Sequence, residues 1–491
     1  MFQRLFFVFF SLMLWCSMTA VQAGEVAPSS EARPGALCLI RADDKLVITK
    51  EIITQKLSLP GGVIEAGETA PQAAQRETWE ETGMVVEVGQ ILGYTDTAVV
   101  FDCIGQSDLL VYAPDNHLGG HTLPIWVAPH YGIETSGAML IAPERVDSSQ
   151  YRFPKQWSQI TSFFHQASSQ PTRTVTDLMQ IAPWTNQVEL HWMATVQTWI
   201  TALPDWLGKL TSGILLMGNT FASPIVAMII FPFLFVWLSR QVALKLFFSM
   251  AFTSIVCLLL QQALASPRPY VYLPTLQKIT DYGYSLPSVL TAILTCAGFL
   301  LWQERDRIEW PHWLSVLLGI TAWQFLAQFY AGNAFLTDMW LGGILGMIVA
   351  WNIYQLEQRT EFDFNRLLNG YPLWLGLFGI DVVLTFMWPT PEFRAWSAVL
   401  FAVSVGMWLA KDHHREFTIR YAAIVAIAMV VGYQLMVGLS SLVTSSGSWS
   451  LLTYILKYLV VATIFMTGYF GIEVSKLTSR LQRITTKKID A

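Results

Sequence analysis

The chain has 491 residues, of which 53% are hydrophobic and only 13% charged. Soluble proteins carry about 25% charged residues, so a wholly soluble chain and a disordered one are both excluded. Residues 24–170 hold 18 acidic and 9 basic side chains, a net of −9 against −5 for the whole chain, so an acidic soluble module is joined to a slightly basic, very apolar one, and nothing in this distribution suits nucleic-acid binding.

The chain opens with Arg4, an apolar run from Leu5 to Trp15, and Val21-Gln22-Ala23 before a polar stretch. This predicts a signal peptide over 1–23, because the run falls short of the roughly 17–25 residues that cross a bilayer. An uncleaved anchor is the alternative, and either one exports the next domain. Cys38 and Cys103 share the exported module, where a disulfide between them would suit an oxidising compartment.

Pro60–Met84 reads PGGVIEAGETAPQAAQRETWEETGM. Thr69 and Gln72 make a capping box and Gly83 suits a helix end, which predicts a helix over Ala70–Thr82. Glu77, Glu80 and Glu81 then stand at i, i+3 and i+4 on one face. Carboxylates this close repel unless a cation lies among them. Hard divalent ions such as Mg²⁺ or Mn²⁺ take such oxygen ligands and bridge diphosphate oxygens during substitution at phosphorus. Arg76 can fix a carboxylate rotamer, and the Gly61-Gly62 turn lets a backbone carbonyl approach the same ion. A solvated acidic helix face would explain three glutamates, but not the full spacing Gly62-x5-Glu68-x7-Arg76-Glu77-x2-Glu80-Glu81-x-Gly83.

That spacing resembles the Nudix box, with Thr78 in place of the usual aliphatic residue; strand-like stretches at Ala36–Thr49 and Val85–Thr95 flank it. The resemblance covers residues 34–165 and implies an α/β/α Nudix sandwich that hydrolyses a diphosphate linked to another group with Mg²⁺ or Mn²⁺. It implies that Glu77, Glu80 and Glu81 bind the metal, that Arg76 and Glu68 support them, and that Gly62 gives a carbonyl. A further carboxylate from a later loop often joins the metals or acts as base in this family; Glu134 is the candidate here, with a plain surface role as the alternative. The spacing of His117, His121 and His130 fits no metal site, so these are read as loop residues.

Within the linker at 171–210, Trp192, Val196, Trp199, Leu203 and Trp206 recur at helical spacing. This predicts either an amphipathic helix in the membrane interface or a helix buried against the membrane bundle. Apolar runs then predict an all-α polytopic bundle of about nine spans, near 221–239, 243–264, 286–303, 313–331, 335–354, 369–388, 395–410, 421–443 and 450–473. With the first span starting outside, fourteen Lys and Arg fall in the inside loops and the basic tail 476–491, against Arg268, Lys278 and Arg394 outside. By the positive-inside rule this predicts an inner-membrane protein with its Nudix domain on the periplasmic side and its C-terminus in the cytoplasm.

Gln261–Pro269, Tyr284–Thr291 and Ala327–Asp338 fall on the predicted outer side. Their order and spacing resemble the type-2 phosphatidic acid phosphatase (PAP2) family over residues 210–355, with a further four-span region at 356–475. Arg268-Pro269, Pro287-Ser288, Tyr330, Gly332 and Asp338 match that family's motifs. The reactive positions differ: Ala334 stands for the nucleophilic histidine, Leu290 for the acid histidine, Gln261 and Gln328 for cations, Ala327 for a serine and Val289 for a glycine. Arg268, Ser288 and Asp338 remain, either holding a phosphate weakly or with Arg268 and Asp338 paired as scaffold.

Three functional readings are open. The first is a membrane-anchored, periplasm-facing Nudix hydrolase acting on lipid-linked or nucleoside diphosphate compounds, with diphosphate-bearing small molecules or lipids and membrane lipids as partners. The second is a lipid phosphatase of the undecaprenyl-diphosphate or phosphatidylglycerophosphate type working through the PAP2-like bundle. The third is a non-catalytic ligand sensor.

Overall fold

The computed structural model describes residues 34–305, 312–359, 363–409 and 418–470; the predicted signal peptide and basic tail lie outside them. Strands β1 (Gly35–Leu39), β2 (Arg41–Ala42), β3 (Lys45–Glu51), β4 (Leu57–Ser58) and β5 (Gly61–Val63) precede helix α1 (Ala70–Thr82). Then come β6 (Val86–Tyr94), β7 (Ala98–Gly105), β8 (Leu109–Tyr112), β9 (His121–Leu123), β10 (Thr135–Ile141), α2 (Trp157–Phe164) and β11 (Thr172–Val175). One mixed sheet runs β5-β1-β7-β6, a second runs β2-β3-β10-β9 with β4 on β3, and β11 pairs β8. The stretch Ala36–Thr49, expected as one strand, turns back on itself at Asp43, whose φ is +53°.

Alternate residues of a strand face opposite sides of a sheet, and β1 buries both. Ala36 and Cys38 join Ala73 and Ala74 of α1 in one core, while Leu39 joins Trp157, Ile160 and Phe164 of α2 in another. The strands therefore lie between two helices, as the Nudix resemblance implies. A Cys38–Cys103 disulfide ties β1 to its neighbour β7, with Cα atoms 5.4 Å apart across a sequence separation of 65 residues.

The remainder is mostly helical: α3 (Trp184–Thr201), α4 (Asp205–Met217), α5 (Pro224–Trp237), α6 (Arg240–Leu264), α7 (Val289–Gln303), α8 (Trp313–Tyr330), α9 (Leu336–Glu357), α10 (Tyr371–Met387), α11 (Pro391–Leu409), α12 (Ile419–Leu442) and α13 (Gly447–Phe470). Each of the nine stretches expected to span falls on one of α5–α13. By length and apolar character, however, only α6, α9, α12 and α13 suffice to cross a membrane among the described residues; α4 with α5, bent by 58°, would make a fifth. Helix α9 lies close against α7, because a Cβ at Gly342 or Gly346 would overlap the backbone of Ser288 or Ala292.

Two expectations change in detail. Lys245, one of the fourteen cations assigned to the inside edge, is buried and clamps α6 to the ends of α7 and α9 through Glu304 (2.6 Å) and Glu357 (2.9 Å). The helix with tryptophan periodicity packs one face against the helical part and leaves tryptophans on the other. Glu189, Leu190, Met193 and Gln197 are buried, with Gln197 donating to the Leu276 and Tyr330 carbonyls, while Trp192 and Trp199 stay exposed.

The sheet domain sits directly on the loops at one end of the bundle. Tyr112 donates to the Val271 carbonyl, Tyr284 to Trp126, and Arg152 to Thr444; Tyr131 packs edge-on against Tyr284 with centroids 5.7 Å apart. These contacts draw on the α6–α7 and α12–α13 loops, so both ends of the membrane sequence help to seat the domain. Closing a loop as long as that between Cys38 and Cys103 is worth about 4 kcal/mol in the unfolded-state entropy picture. Reduction, or Cys103→Ala, should therefore lower the stability of the sheet domain by about 2–4 kcal/mol, read as a reductant-dependent shift of its unfolding midpoint in the full chain.

Candidate active site

Helix α1 starts and stops as its sequence dictates. The Thr69 N–H donates to Gln72 Oε1 at 2.9 Å, and Gly83, with φ of +75°, ends the helix with its N–H on the Trp79 carbonyl. Thr78 is accommodated on the buried face because its hydroxyl donates to the Ala74 carbonyl at 2.7 Å.

On the opposite face one guanidinium organises the carboxylates. Arg76 reaches Glu68 at 2.8 Å, Glu77 at 2.9 Å and Glu80 at 3.0 Å, which holds its own pKa well above the ordinary value, the Glu68 bond being the largest cause. Burial pushes Glu77 above the usual carboxylate range, partly opposed by Arg76. Glu81 is buried and accepts a hydrogen bond from the Gly61 N–H at 3.2 Å. Burial, and then the charges of Glu51, Glu77 and Glu134, drive its pKa well above the ordinary 4.5. Of the two glycines before α1 the first is sterically required, and the second lies against the movable end of Glu77. At Gly61 φ is +146° and a Cβ would overlap the Ala36 carbonyl, while one at Gly62 would overlap the Glu77 carboxylate.

The structure brings Glu134 into this group. Pairing of β3 with β10 sets Thr135 opposite Glu51, and the Ile52 N–H donates to the Glu134 carbonyl at 2.8 Å. His130 lies in a loop, as read from sequence, and that loop brings it to the group: its ring stands 3.5 Å from the Glu134 carboxylate and 4.0 Å from that of Glu80, and its backbone N–H donates to the Glu80 carbonyl. The facing carboxylate of Glu134 raises the His130 pKa, and in return His130, then Arg394 and Arg152, hold Glu134 below the usual range. His121, in β9, faces Asp115 instead, at 3.5 Å.

Sequence reasoning missed Glu51 and Arg152, which pair at 2.8 Å. Neither lies near the box in the chain. Only the β3–β10 register carries a signal for Glu51, and only the tertiary fold carries one for Arg152.

At the PAP2-like segments the expected Arg268–Asp338 pair is corrected. Arg268 pairs with Asp281 at 2.9 Å and donates to the Tyr282 and Asn333 carbonyls. Asp338 instead accepts the Phe335 N–H at 3.1 Å, capping α9. Ser288 donates to Gln328 at 3.1 Å, and Gln261 donates to the Pro287 carbonyl at 2.9 Å. Ala334 is buried, and Glu189 accepts the N–H groups of Leu336 and Thr337. The polar side chains at these segments are thus engaged with one another or with neighbouring backbone groups.

The NUDIX domain family matches residues 31–128, and the PAP2 superfamily matches residues 242–362. The chain joins a Nudix hydrolase domain to a PAP2 domain. A MutT-like protein of Streptomyces ambofaciens is 39% identical over 71 residues, 13% of this chain and 46% of that protein. Phosphatase NudJ of Escherichia coli K12 is 43% identical over 49 residues, 10% of this chain and 32% of that protein. The chain therefore spans less than half the length of these curated relatives. Among solved structures, an ADP-ribose pyrophosphatase from Streptococcus suis 89-1591 is 18% identical, covering 28% of this chain and 95% of that one with a TM-score of 0.21. A NUDIX hydrolase from Nitrosomonas europaea is 22% identical, covering 28% and 90%, also with a TM-score of 0.21.

Nudix hydrolases generally need a divalent metal, and the donors here suit one. They are oxygen throughout, Gly62 leaves room at Glu77, and Glu81 is buried among like charges, with no cation within ion-pair distance among the described residues. Nor do three His, Cys, Asp or Glu side chains among those residues yet converge closely enough to chelate an ion; Arg76 is the cation that Glu77 and Glu80 share. Because the folded state raises the Glu81 pKa, its contribution favours folding below pH 4.5 and is lost as the pH rises past it. Added Mg²⁺ or Mn²⁺ should therefore raise the unfolding midpoint of the full chain at neutral pH and do so less toward pH 4.5. Glu81→Gln should abolish the gain, as thermal shift measurements at two pH values can check.

Proposed function

We propose that this chain is a membrane-anchored hydrolase whose Nudix domain, comprising residues 34–165, cleaves the diphosphate linkage of lipid-linked or nucleoside diphosphate compounds outside the cytoplasm. The observation that carries this reading is a set of neighbouring carboxylates, in which Arg76 binds Glu68, Glu77 and Glu80 while Glu81 is buried within reach of the charges of Glu51, Glu77 and Glu134. Two features support the location. Arg240, Arg305, Arg359, Arg366 and Arg420 lie at or beyond the helix ends opposite those that seat the Nudix domain, in keeping with positive-inside topology. The Cys38–Cys103 disulfide suits an oxidising compartment.

In this mechanism Glu77, Glu80 and Glu81, with the Gly62 carbonyl, would hold Mg²⁺ or Mn²⁺, and the ion when bound would neutralise charge on the diphosphate oxygens. Arg76 and Glu68 keep the glutamates in rotamer. A water oxygen bonds to one phosphorus as the bridging P–O bond breaks, leaving one phosphate on each product. Glu134, kept ionised by His130, is placed to accept the water's proton and pass it to solvent. The PAP2 domain serves as anchor and platform, since alanine and leucine at positions 334 and 290 can neither attack phosphorus nor move a proton.

The test is turnover by the full chain with Mg²⁺ or Mn²⁺ against a panel of nucleoside and prenyl diphosphates. Glu80→Gln and Glu134→Gln should each lower kcat by about 10²-fold or more, and chelation should abolish turnover. Wild-type rates in both variants would refute the assignment. Phosphate release from a lipid monophosphate without metal, lost in Asp338→Ala, would favour the phosphatase reading, and tight binding without turnover would favour the sensor.

A further inference from the structure

Helices α3 and α4 each carry an apolar face that no other part of the described chain covers. Trp184, Trp192 and Trp199 of α3, and Trp206, Leu210 and Met217 of α4, are all more than half exposed. Their spacing within each helix, of four, seven or eight residues, keeps them on one side of it. The other side of α3 is committed to the protein: Leu190 and Met193 pack with Tyr272, Leu276 and Phe335, and Glu189 accepts the N–H groups of Leu336 and Thr337. The hydroxyls beside the tryptophans are satisfied without water. Thr195 donates to the His191 carbonyl at 2.7 Å, Thr198 to Ala194 at 2.8 Å and Thr201 to Thr198 at 2.9 Å, each within its own helix.

Contacts on the buried side give both helices a depth. Gln197 of α3 donates to the carbonyl of Tyr330, the last residue of α8. From α4, Ser212 accepts from the Tyr330 hydroxyl at 3.0 Å and the Ile214 carbonyl from the Trp323 indole at 2.8 Å; Asn219, just beyond α4, donates to the Ala327 carbonyl at 3.3 Å. Tyr270, in the loop that seats the Nudix domain, donates to the Gly332 carbonyl just past α8, which marks this end as the Nudix side. A helix rises about 1.5 Å per residue, so all these partners lie within about 10 Å of that end. Asn219 meets a partner nearer the end than Ile214 does, so α4 does not descend along α8. The chain then bends by 58° into α5. A layer of this depth at the membrane surface is where indole rings are favoured and where an amphipathic helix buries its apolar face.

We propose that the exposed faces of α3 and α4 dock on the lipid surface, in the headgroup layer of the leaflet on the Nudix side, and that α4 is a surface helix rather than half of a span. The pair braces the loop of Val271, Tyr272 and Leu276, on which Tyr112 and Trp126 of the sheet domain rest, so the bilayer itself supports the Nudix domain. Lys209 is the one Lys or Arg in the two helices, so the contact is aromatic and aliphatic and needs no anionic lipid. Nothing in this docking depends on hydrolysis by the Nudix domain.

The experiment uses the full chain in phosphatidylcholine nanodiscs, with Cys16→Ala, Cys257→Ala and Cys296→Ala as background. One spin label at a time is placed through Val188→Cys, Trp199→Cys, Trp206→Cys, Leu210→Cys or Met217→Cys. Glu144→Cys on the Nudix domain gives the aqueous reference and Ile348→Cys, on the exposed side of α9, the deep one. At all five positions, collision with oxygen should exceed collision with a water-soluble nickel chelate by about threefold or more, at depths between the two references. Met217 should lie no deeper than Leu210, and an equal share of phosphatidylglycerol should change neither result. Val188→Cys and Leu210→Cys keep every tryptophan, so the measurement stands where a tryptophan variant fails to fold. Labels that meet the nickel chelate as freely as Glu144→Cys does would overturn the docking. So would labels shielded from both reagents, as beneath a second copy or a soluble partner. A steady increase in depth from Trp206 through Leu210 to Met217 would make α4 part of a span and overturn its assignment to the surface.

Discussion

Negative charge held together in a confined place is the constraint on which this molecule turns. Glu81 is buried with Glu51, Glu77 and Glu134 acting on it, and each of them disfavours its ionisation. Folding alone does not relieve this, because Arg76 is already divided among Glu68, Glu77 and Glu80. The turn before α1 is shaped to tolerate the arrangement, with glycine wherever a side chain would collide with Glu77 or with β1. A fold that accumulates unrelieved carboxylates is poised for cations and for phosphates that arrive with them.

The same constraint accounts for how the domain is seated. Arg152 pairs with Glu51 and donates to the Thr444 carbonyl, which ties the strand that carries Glu51 to the α12–α13 loop. In the PAP2 domain Gln261 donates to the Pro287 carbonyl, Ser288 donates to Gln328, and Arg268 is turned to Asp281. What it contributes is shape: Tyr272, Tyr284 and the Gly283 turn meet Trp126, Tyr131 and Gly132.

Much of this was legible in the sequence where the signal was local. The α1 boundaries, the grouping of Glu77, Glu80 and Glu81, and Arg76 with Glu68 all come from spacing along one helix and one turn. Placement of the apolar helices was equally direct, whereas span number was not, since α7 and α10 are short and α5 is bent away from α4. The missing parts depend on contacts between distant segments. Glu51, His130 and Arg152 enter the site through strand register and loop closure, and Lys245 looked like a topology marker because its partners are 59 and 112 residues away. Arg268 and Asp338 were tied together by their motif positions, yet Asp281 in the intervening loop is the closer acid.

The central claim, that metal-assisted hydrolysis at the Nudix carboxylates acts on a diphosphate presented at the membrane, is tested most directly by oxygen-18 tracing. The full chain in nanodiscs would be given geranylgeranyl diphosphate and a divalent metal in labelled water. The account predicts one labelled oxygen in one of the two phosphate products, with cleavage of the P–O–P bridge, and loss of both turnover and label in Glu81→Gln. Label appearing without metal, or unchanged in Glu81→Gln, would contradict it.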